Sequence, residues 1–117
     1  PEHNKFEVER IFKAVNLIDK NPFRTFRVPE LAKNAGLGRE RFTKAFKAII
    51  GITPARYQTE RKIHHIQNRL ISDNPTIAML AEEFGFSSAF HLSSLFKRYV
   101  GMSPREFRLQ NRQNQSS

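Results

Sequence analysis

The sequence predicts an all-α fold of about seven helices, arranged as two similar units joined by one long helix. Three observations lead there. Apolar residues recur at helical spacing almost throughout, with little strand-like alternation. Turn and cap residues punctuate these stretches at regular intervals. And one pattern is written twice, as GLGRERFTKAFKAIIGITP at 36–54 and as GFSSAFHLSSLFKRYVGMSP at 85–104.

A first helix covers about 4–20, with Phe6, Ile11, Phe12, Val15 and Ile18 on one face, and Asn21-Pro22 ends it. A short second helix covers about 28–34, and Gly36 supplies the turn after it. The third covers about 39–50 and closes at Gly51. Thr53-Pro54 then reads as an N-cap followed by proline at the first helical position. It opens a long helix over about 54–72, with Tyr57, Ile63, Ile66 and Leu70 on one side, stopped by Asp73-Asn74-Pro75. Thr76 caps a fifth helix over 77–84, and Gly85 follows. A sixth spans about 88–100 up to Gly101, and Ser103-Pro104 opens a seventh ending near Leu109.

The repeat aligns with these elements. Leu31-Ala32 matches Leu80-Ala81 and Gly36 matches Gly85, at an offset of 49. Phe46-Lys47, Gly51, Pro54 and Tyr57 match Phe96-Lys97, Gly101, Pro104 and Phe107 at an offset of 50. Each unit is thus a short helix, a tight glycine turn, a longer helix and a capped third helix. That is a helix-turn-helix, present twice. The domain reading is a first subdomain over 1–52, a linker helix over 53–73, a second subdomain over 74–110 and a disordered tail over 111–117.

A helix-turn-helix holds one helix so that its N-terminal half projects, and the major groove of B-DNA accepts such a helix. In the first unit Phe42, Ala45, Phe46 and Ile49 form the inner face, leaving Arg39, Glu40, Thr43 and Lys44 to meet bases. These types suit groove chemistry: Lys and Arg bond guanine acceptors, Glu accepts from the cytosine amino group, and Thr meets bases or a thymine methyl. In the second unit Leu92, Leu95, Phe96 and Tyr99 face inward, and Ser88, Ala89, Phe90, His91, Ser93 and Ser94 are the outward candidates. Arg27, Lys47, Arg56, Lys97, Arg98 and Arg105 are the candidate phosphate partners.

Charge points the same way. In 117 residues, 20 Lys and Arg face 11 acids, a formal net charge of +9, which favours an anionic partner. Residues 1–60 hold 12 basic and 7 acidic side chains and the remainder 8 and 4, so each half is basic in its own right. Cysteine is absent, which excludes disulfides, thiol chemistry and Cys-zinc sites. No apolar run is long enough to span a membrane and no signal-peptide pattern is present. The chain opens on Pro1 and reads as a piece of something longer.

With these residues in hand, the chain resembles the DNA-binding domain of AraC/XylS-type transcription regulators, from about Phe6 to Leu109. The strongest part is LAEEFGFSS at 80–88, continued by His91-Leu92-Ser93 and by FKRYVGMSPREFR at 96–108. The resemblance implies two helix-turn-helix subdomains joined by a long helix, duplex DNA as partner, and control of bacterial transcription in the cytoplasm. It further implies activation through RNA polymerase and, in many members, a separate N-terminal domain for a small effector or for dimerisation, which nothing in this sequence matches. No cofactor is expected, and this fragment is expected to be a monomer and the full-length protein a dimer. The sequence departs from the family pattern at several points. Gly38 stands where a capping Ser is usual, Arg27 where Ser or Thr is expected, Ala89-Phe90 where Gln-Ser is common, and Ser94 where Arg is common. The second unit therefore lacks long reaching side chains, and the first is expected to carry more of the base reading.

Other chemistry is weaker. His64 and His65 are adjacent, about 100° apart on a helix, whereas zinc pairs want i, i+4 spacing; His3 and His91 are isolated. Phe12, Phe42, Phe46, Phe84, Phe86, Phe96 and Phe107 sit at core periods, so packing rather than base stacking accounts for them. Phe90 lies off the core face and either meets a thymine methyl or packs against a neighbouring helix. Glu82-Glu83 reads as solvated surface. A basic helical module for RNA or protein partners is the alternative function, and an enzyme comes last for want of a catalytic constellation. Nineteen residues over 54–72 span roughly 28 Å at 1.5 Å each, against ~34 Å between successive major grooves on one DNA face. One chain therefore suits two successive grooves, and the stretch Gln58 to Arg61 is expected to be exposed.

Overall fold

The computed structural model describes residues 4–116, with side chains through Arg112. Seven helices follow in chain order: α1 (Lys5–Lys20), α2 (Val28–Ala35), α3 (Arg39–Ile50), α4 (Pro54–Ser72), α5 (Ile77–Glu83), α6 (Ala89–Val100) and α7 (Pro104–Ser116). The chain divides into two compact units, with the boundary between Thr59 and Glu60, inside α4. The long helix is thus shared between the two compact units rather than standing between them.

In the first unit, Ile11, Ala14, Val15 and Ile18 of α1 close over Leu31, Ala32 and Ala35 of α2 and Phe42, Ala45 and Phe46 of α3. Phe46 meets the edge of Tyr57 at 5.8 Å between centroids, and the Tyr57 hydroxyl donates to Asp19 Oδ1 at 2.8 Å. The second unit has its own core of Ile63, Ile66 and Leu70 from α4, Leu80, Ala81 and Phe84 around α5, and Leu92 and Phe96 of α6. Phe96 meets the edge of Phe107 at 5.6 Å, repeating the Phe46–Tyr57 contact fifty residues on.

The structure reveals that the repeat is larger than the motif. Ile11, Ala14 and Ile18 of α1 correspond to Ile63, Ile66 and Leu70 of α4 at an offset of 52, and all six are buried. Each unit is therefore four helices, α1–α4 in one and α4–α7 in the other. Each first helix also sends a cation to the turn. Arg10 Nη1 donates to the Ala35 carbonyl, and Lys62 Nζ donates to the Phe84 carbonyl at 2.7 Å. Both carbonyls belong to the residue just before the turn glycine. They are orphan acceptors at a helix C-terminus, which a cation satisfies. The fourth helix of each unit anchors the opposite end of α2 or α5. Gln58 accepts from Phe26 N at 2.7 Å and donates to Phe26 O at 3.0 Å, while an Arg108 guanidinium nitrogen donates to Pro75 O.

Both turns use the same backbone device. Gly36 and Gly85 have φ of +72° and +77°, and the next residue donates five back, Leu37 N to Ala32 O at 3.0 Å and Phe86 N to Ala81 O at 2.8 Å. Alanine at either glycine is strained by about 1–2 kcal/mol. The two sites differ in what a Cβ would meet: the Arg10 guanidinium at Gly36, but nothing nearer than Lys62 Nζ at 3.8 Å at Gly85. Gly36→Ala is thus expected to lower stability more than Gly85→Ala in parallel urea titrations, and equal losses would mean that Arg10 yields without cost.

Several expectations are corrected. Phe6 and Phe12 are 60% and 47% exposed, and buried Glu7 stands among the inner-face residues of α1 instead. Phe6 lies under the Arg10 guanidinium, 4.0 Å from its ring centroid, and Glu7 receives Arg41 Nε at 2.9 Å. Hydropathy misassigned this helix because an ion pair with α3 draws the acid inward. Tyr99 is 36% exposed rather than inside, since Leu92 and Phe96 fill the inner face of α6. Gln58 is buried by its grip on Phe26, so the stretch to Arg61 is no exposed insertion site. The α7 helix runs to Ser116, not to Leu109, and so occupies most of the stretch expected to be a disordered tail. No Gly or Pro interrupts it, Asn111 Nδ2 donates to Phe107 O at 2.8 Å, and Arg112 donates to Asp73 O at 2.8 Å. His3 and Ser117 lie outside the described residues.

Candidate functional site

The projecting face of α3 is built from its sequence period. Phe42, Ala45 and Phe46 seal one side against the core. Arg39, Glu40 and Lys44 are exposed on the other, with Thr43 half-exposed among them. Spacings of one, four and five residues place them on one stripe of the N-terminal half of the helix. The Thr43 hydroxyl donates to Arg39 O at 2.9 Å, so its proton is already committed. Gly38 stands at the N-cap with no side-chain bond, and Arg27 does the same for α2, as the sequence departures imply. The backbone amides of the first turn of α3 therefore lack a capping side chain. Arg41 fixes the helix from its flank through the Glu7 pair, with Nη2 at 2.8 Å.

The corresponding face of α6 has different chemistry. Ser88 is its N-cap, and the Ser88 hydroxyl accepts from His91 N at 3.0 Å. The His91 ring is held by Ser87 Oγ, 3.1 Å from Nδ1, and by the edge of Phe86, 5.5 Å between centroids. Two of the candidate readers are thus engaged locally. Ala89 and Ser93 are half-buried and Ser94 is exposed. Phe90 is 81% exposed, the most open of the exposed large apolar side chains among the described residues. Of the two expectations for it, packing against a neighbouring helix is overturned.

The candidate phosphate partners Arg27, Lys47, Arg56, Lys97, Arg98 and Arg105 are all exposed. Lys47 closes α3, and Lys97 and Arg98 close α6. Among the described residues, no side-chain hydrogen bond or ion pair engages Arg27, Lys47, Lys97, Arg98 or Arg105. Lys97 lies near Glu106, whose carboxyl is held below its usual range mainly by hydrogen bonds from Ser103, the amide first. Other cations have structural duties. Arg10, Lys62, Arg108 and Arg112 bond backbone carbonyls, Arg24 pairs with Glu30, Arg41 with Glu7, and Arg69 with Asp73 and Glu83. A count of Lys and Arg does not separate these two groups. The 52-residue spacing of Arg10 and Lys62, set beside that of Ile11 and Ile63, is the signal that would have exposed the clamps.

His64 and His65 have ring centroids 6.3 Å apart, and His65 stacks on Phe84 at 6.5 Å, so packing engages it. Among the described residues no helix is long and apolar enough to cross a membrane.

Comparison with known proteins places this geometry. Residues 31–110 match the helix-turn-helix domain family. An AraC-like transcription regulator from Streptomyces lividans is 34% identical over 95 residues, covering 81% of this chain and 31% of the relative. The chain spans about a third of the length of the first curated relatives it matches. An AraC-type regulator structure from Chromobacterium violaceum superimposes with a TM-score of 0.83 at 26% identity, covering 92% of this chain and 96% of that one. The DNA-binding domain of AdpA, a global transcriptional factor solved with a target DNA, shares the fold with a TM-score of 0.85 at 23% identity, over 92% and 97% of the two chains.

Proposed function

The chain belongs to the AraC/XylS-type family of helix-turn-helix DNA-binding domains of transcription regulators, and we propose that it reads duplex DNA through the projecting faces of α3 and α6. The observation that carries this reading is the chemistry of α3. Arg39, Glu40 and Lys44 stand exposed on one stripe of a helix that the core holds from behind. Arg and Lys match guanine acceptors and Glu matches the cytosine amino group. Exposed cations at the ends of both helices, with Arg27, Arg56 and Arg105, position the duplex through its phosphates. A cytoplasmic setting in a bacterium, and contact with RNA polymerase, belong to the same reading.

Competition of duplex DNA, an RNA hairpin and a selected duplex site for the protein tests it. Preference for the selected duplex supports it, and equal affinity for all three sinks it. The first unit is expected to discriminate more than the second. Lys44→Ala should cost roughly 1–3 kcal/mol on the preferred site and relax selectivity at one base position. Ser94→Ala should do much less. Equal losses of selectivity from both, measured on base-substituted duplexes, would contradict the asymmetry.

A further inference from the structure

We infer that the two reading helices demand different bases: α3 a guanine- and cytosine-bearing half-site, and α6 a thymine, recognised by Phe90 through its C5-methyl group. The inference rests on the proposed DNA reading and specifies its target. On α3 the exposed groups are two cations and a carboxylate, Arg39, Lys44 and Glu40. These meet guanine O6 and N7 and the cytosine N4 amino group. On α6 no charged side chain occupies the first two turns; Lys97 and Arg98 stand only at its end. The hydrogen-bonding candidates there are curtailed, since Ser88 caps the helix and His91 is held by Ser87 and Phe86. What remains forward is a phenyl ring at the second helical position, 81% exposed, beside half-buried Ala89, with only the short hydroxyls of Ser93 and Ser94 a turn further along.

An exposed phenylalanine is a poor surface residue, because its ring gains by leaving water. In the major groove one base pair feature rewards that ring: the thymine methyl, the only apolar group the base edges present there. Cytosine and both purines carry no such methyl, and against their polar edge atoms alone the ring would leave groups desolvated and unpaired. The position of Phe90 in the N-terminal half of α6 is where a recognition helix reaches base edges.

Removing the methyl alone tests this. Sites are first selected from random duplexes. Each thymine is then replaced singly by deoxyuridine, which keeps every hydrogen-bonding atom and loses only the methyl. Burial of one methyl predicts about fourfold weaker binding at the thymine under α6. The Phe90→Ala variant should bind the thymine duplex about as weakly as the wild type binds the uracil duplex, and should not distinguish the two. Phe90→Leu keeps an apolar contact and should retain the distinction, as should Lys44→Ala, which alters the other unit. If no uracil duplex weakens the wild type, or if the effect persists in Phe90→Ala, the thymine assignment falls while duplex recognition stands. If selection yields no preferred duplex, both fall.

Discussion

Raising salt from about 50 to 200 mM is expected to weaken DNA binding by about a thousandfold. The cations of the described residues sort into those bonded within the fold and those left exposed. Arg27, Lys47, Arg56, Lys97, Arg98 and Arg105 are exposed, and on the proposed reading they meet phosphates. If each neutralises one phosphate, log K should fall against log salt with a slope of about −5. The formal charge of +9 alone would not fix this figure, because several cations bond partners within the fold. Removing one phosphate partner, as in Lys97→Ala, should shrink the slope by about one and leave the preferred sequence unchanged. Arg24 is paired with Glu30 at the surface, so Arg24→Gln should leave the slope in place. A slope near zero in filter-binding or fluorescence titrations would mean that the basic surface serves some other partner. Equal changes from Lys97→Ala and Arg24→Gln would mean that the sorting is wrong.

That sorting shows what the sequence could and could not disclose. Backbone punctuation was legible: α3 and α4 begin and end where Gly38, Gly51, Pro54 and Asp73 suggest, because glycine and proline act through local sterics. The inner faces of α3 and α6 were also legible in large part, since a helix braced on one side keeps a regular apolar period. Roles that depend on distant partners were not. Glu7 is buried because Arg41, thirty-four residues away, reaches it. Gln58 is buried because the Phe26 backbone needs both a donor and an acceptor. Polar residues of this kind carry no hydropathy signal. The relation of α1 to α4 was hidden for a second reason. Its offset is 52 rather than 49 or 50, and beyond Ile11 and Ile63 it preserves roles rather than identities, Arg10 answering to Lys62 and Ile18 to Leu70. On the reading face the residue types were visible, but not that Ser88 and His91 are engaged locally while Phe90 stands open.

The clamp of Lys62 on the second turn supplies a further expectation: Lys62→Ala should destabilise the second unit by about 3–5 kcal/mol. Two terms make up this figure. The Phe84 carbonyl loses a charged donor at a buried helix end, which costs about 1–3 kcal/mol. The stem of Lys62, only 7% exposed, loses about three buried methylenes at about 0.8 kcal/mol each. Lys62→Met separates the terms. It keeps most of the stem and loses the ammonium, with its bond to Phe84 O and its place over the Phe86 ring, and like Lys62→Ala it relieves the cost of desolvating that ammonium, so its loss should lie near the low end of the first term. That desolvation has a signature. Burial holds the Lys62 pKa below its ordinary value, so the folded state releases this proton before the unfolded state does. Between the lowered folded pKa and the ordinary lysine value, the unfolded chain binds more protons, and stability rises with pH. Above that window the gain is complete, and it is lost as pH falls through the folded pKa. The wild-type advantage over Lys62→Met should therefore widen as pH rises through the window, with titrations common to both proteins cancelling. The functional consequence follows from position: Phe84 precedes the glycine turn that aims α6. A loosened turn should lower affinity for the preferred duplex more than for random duplex, with the salt slope kept. Urea titrations across alkaline pH, paired with binding to both duplexes, measure all of this. A difference between wild type and Lys62→Met that stays flat with pH, together with unchanged preference for the selected site, would show that Lys62 serves only as buried packing.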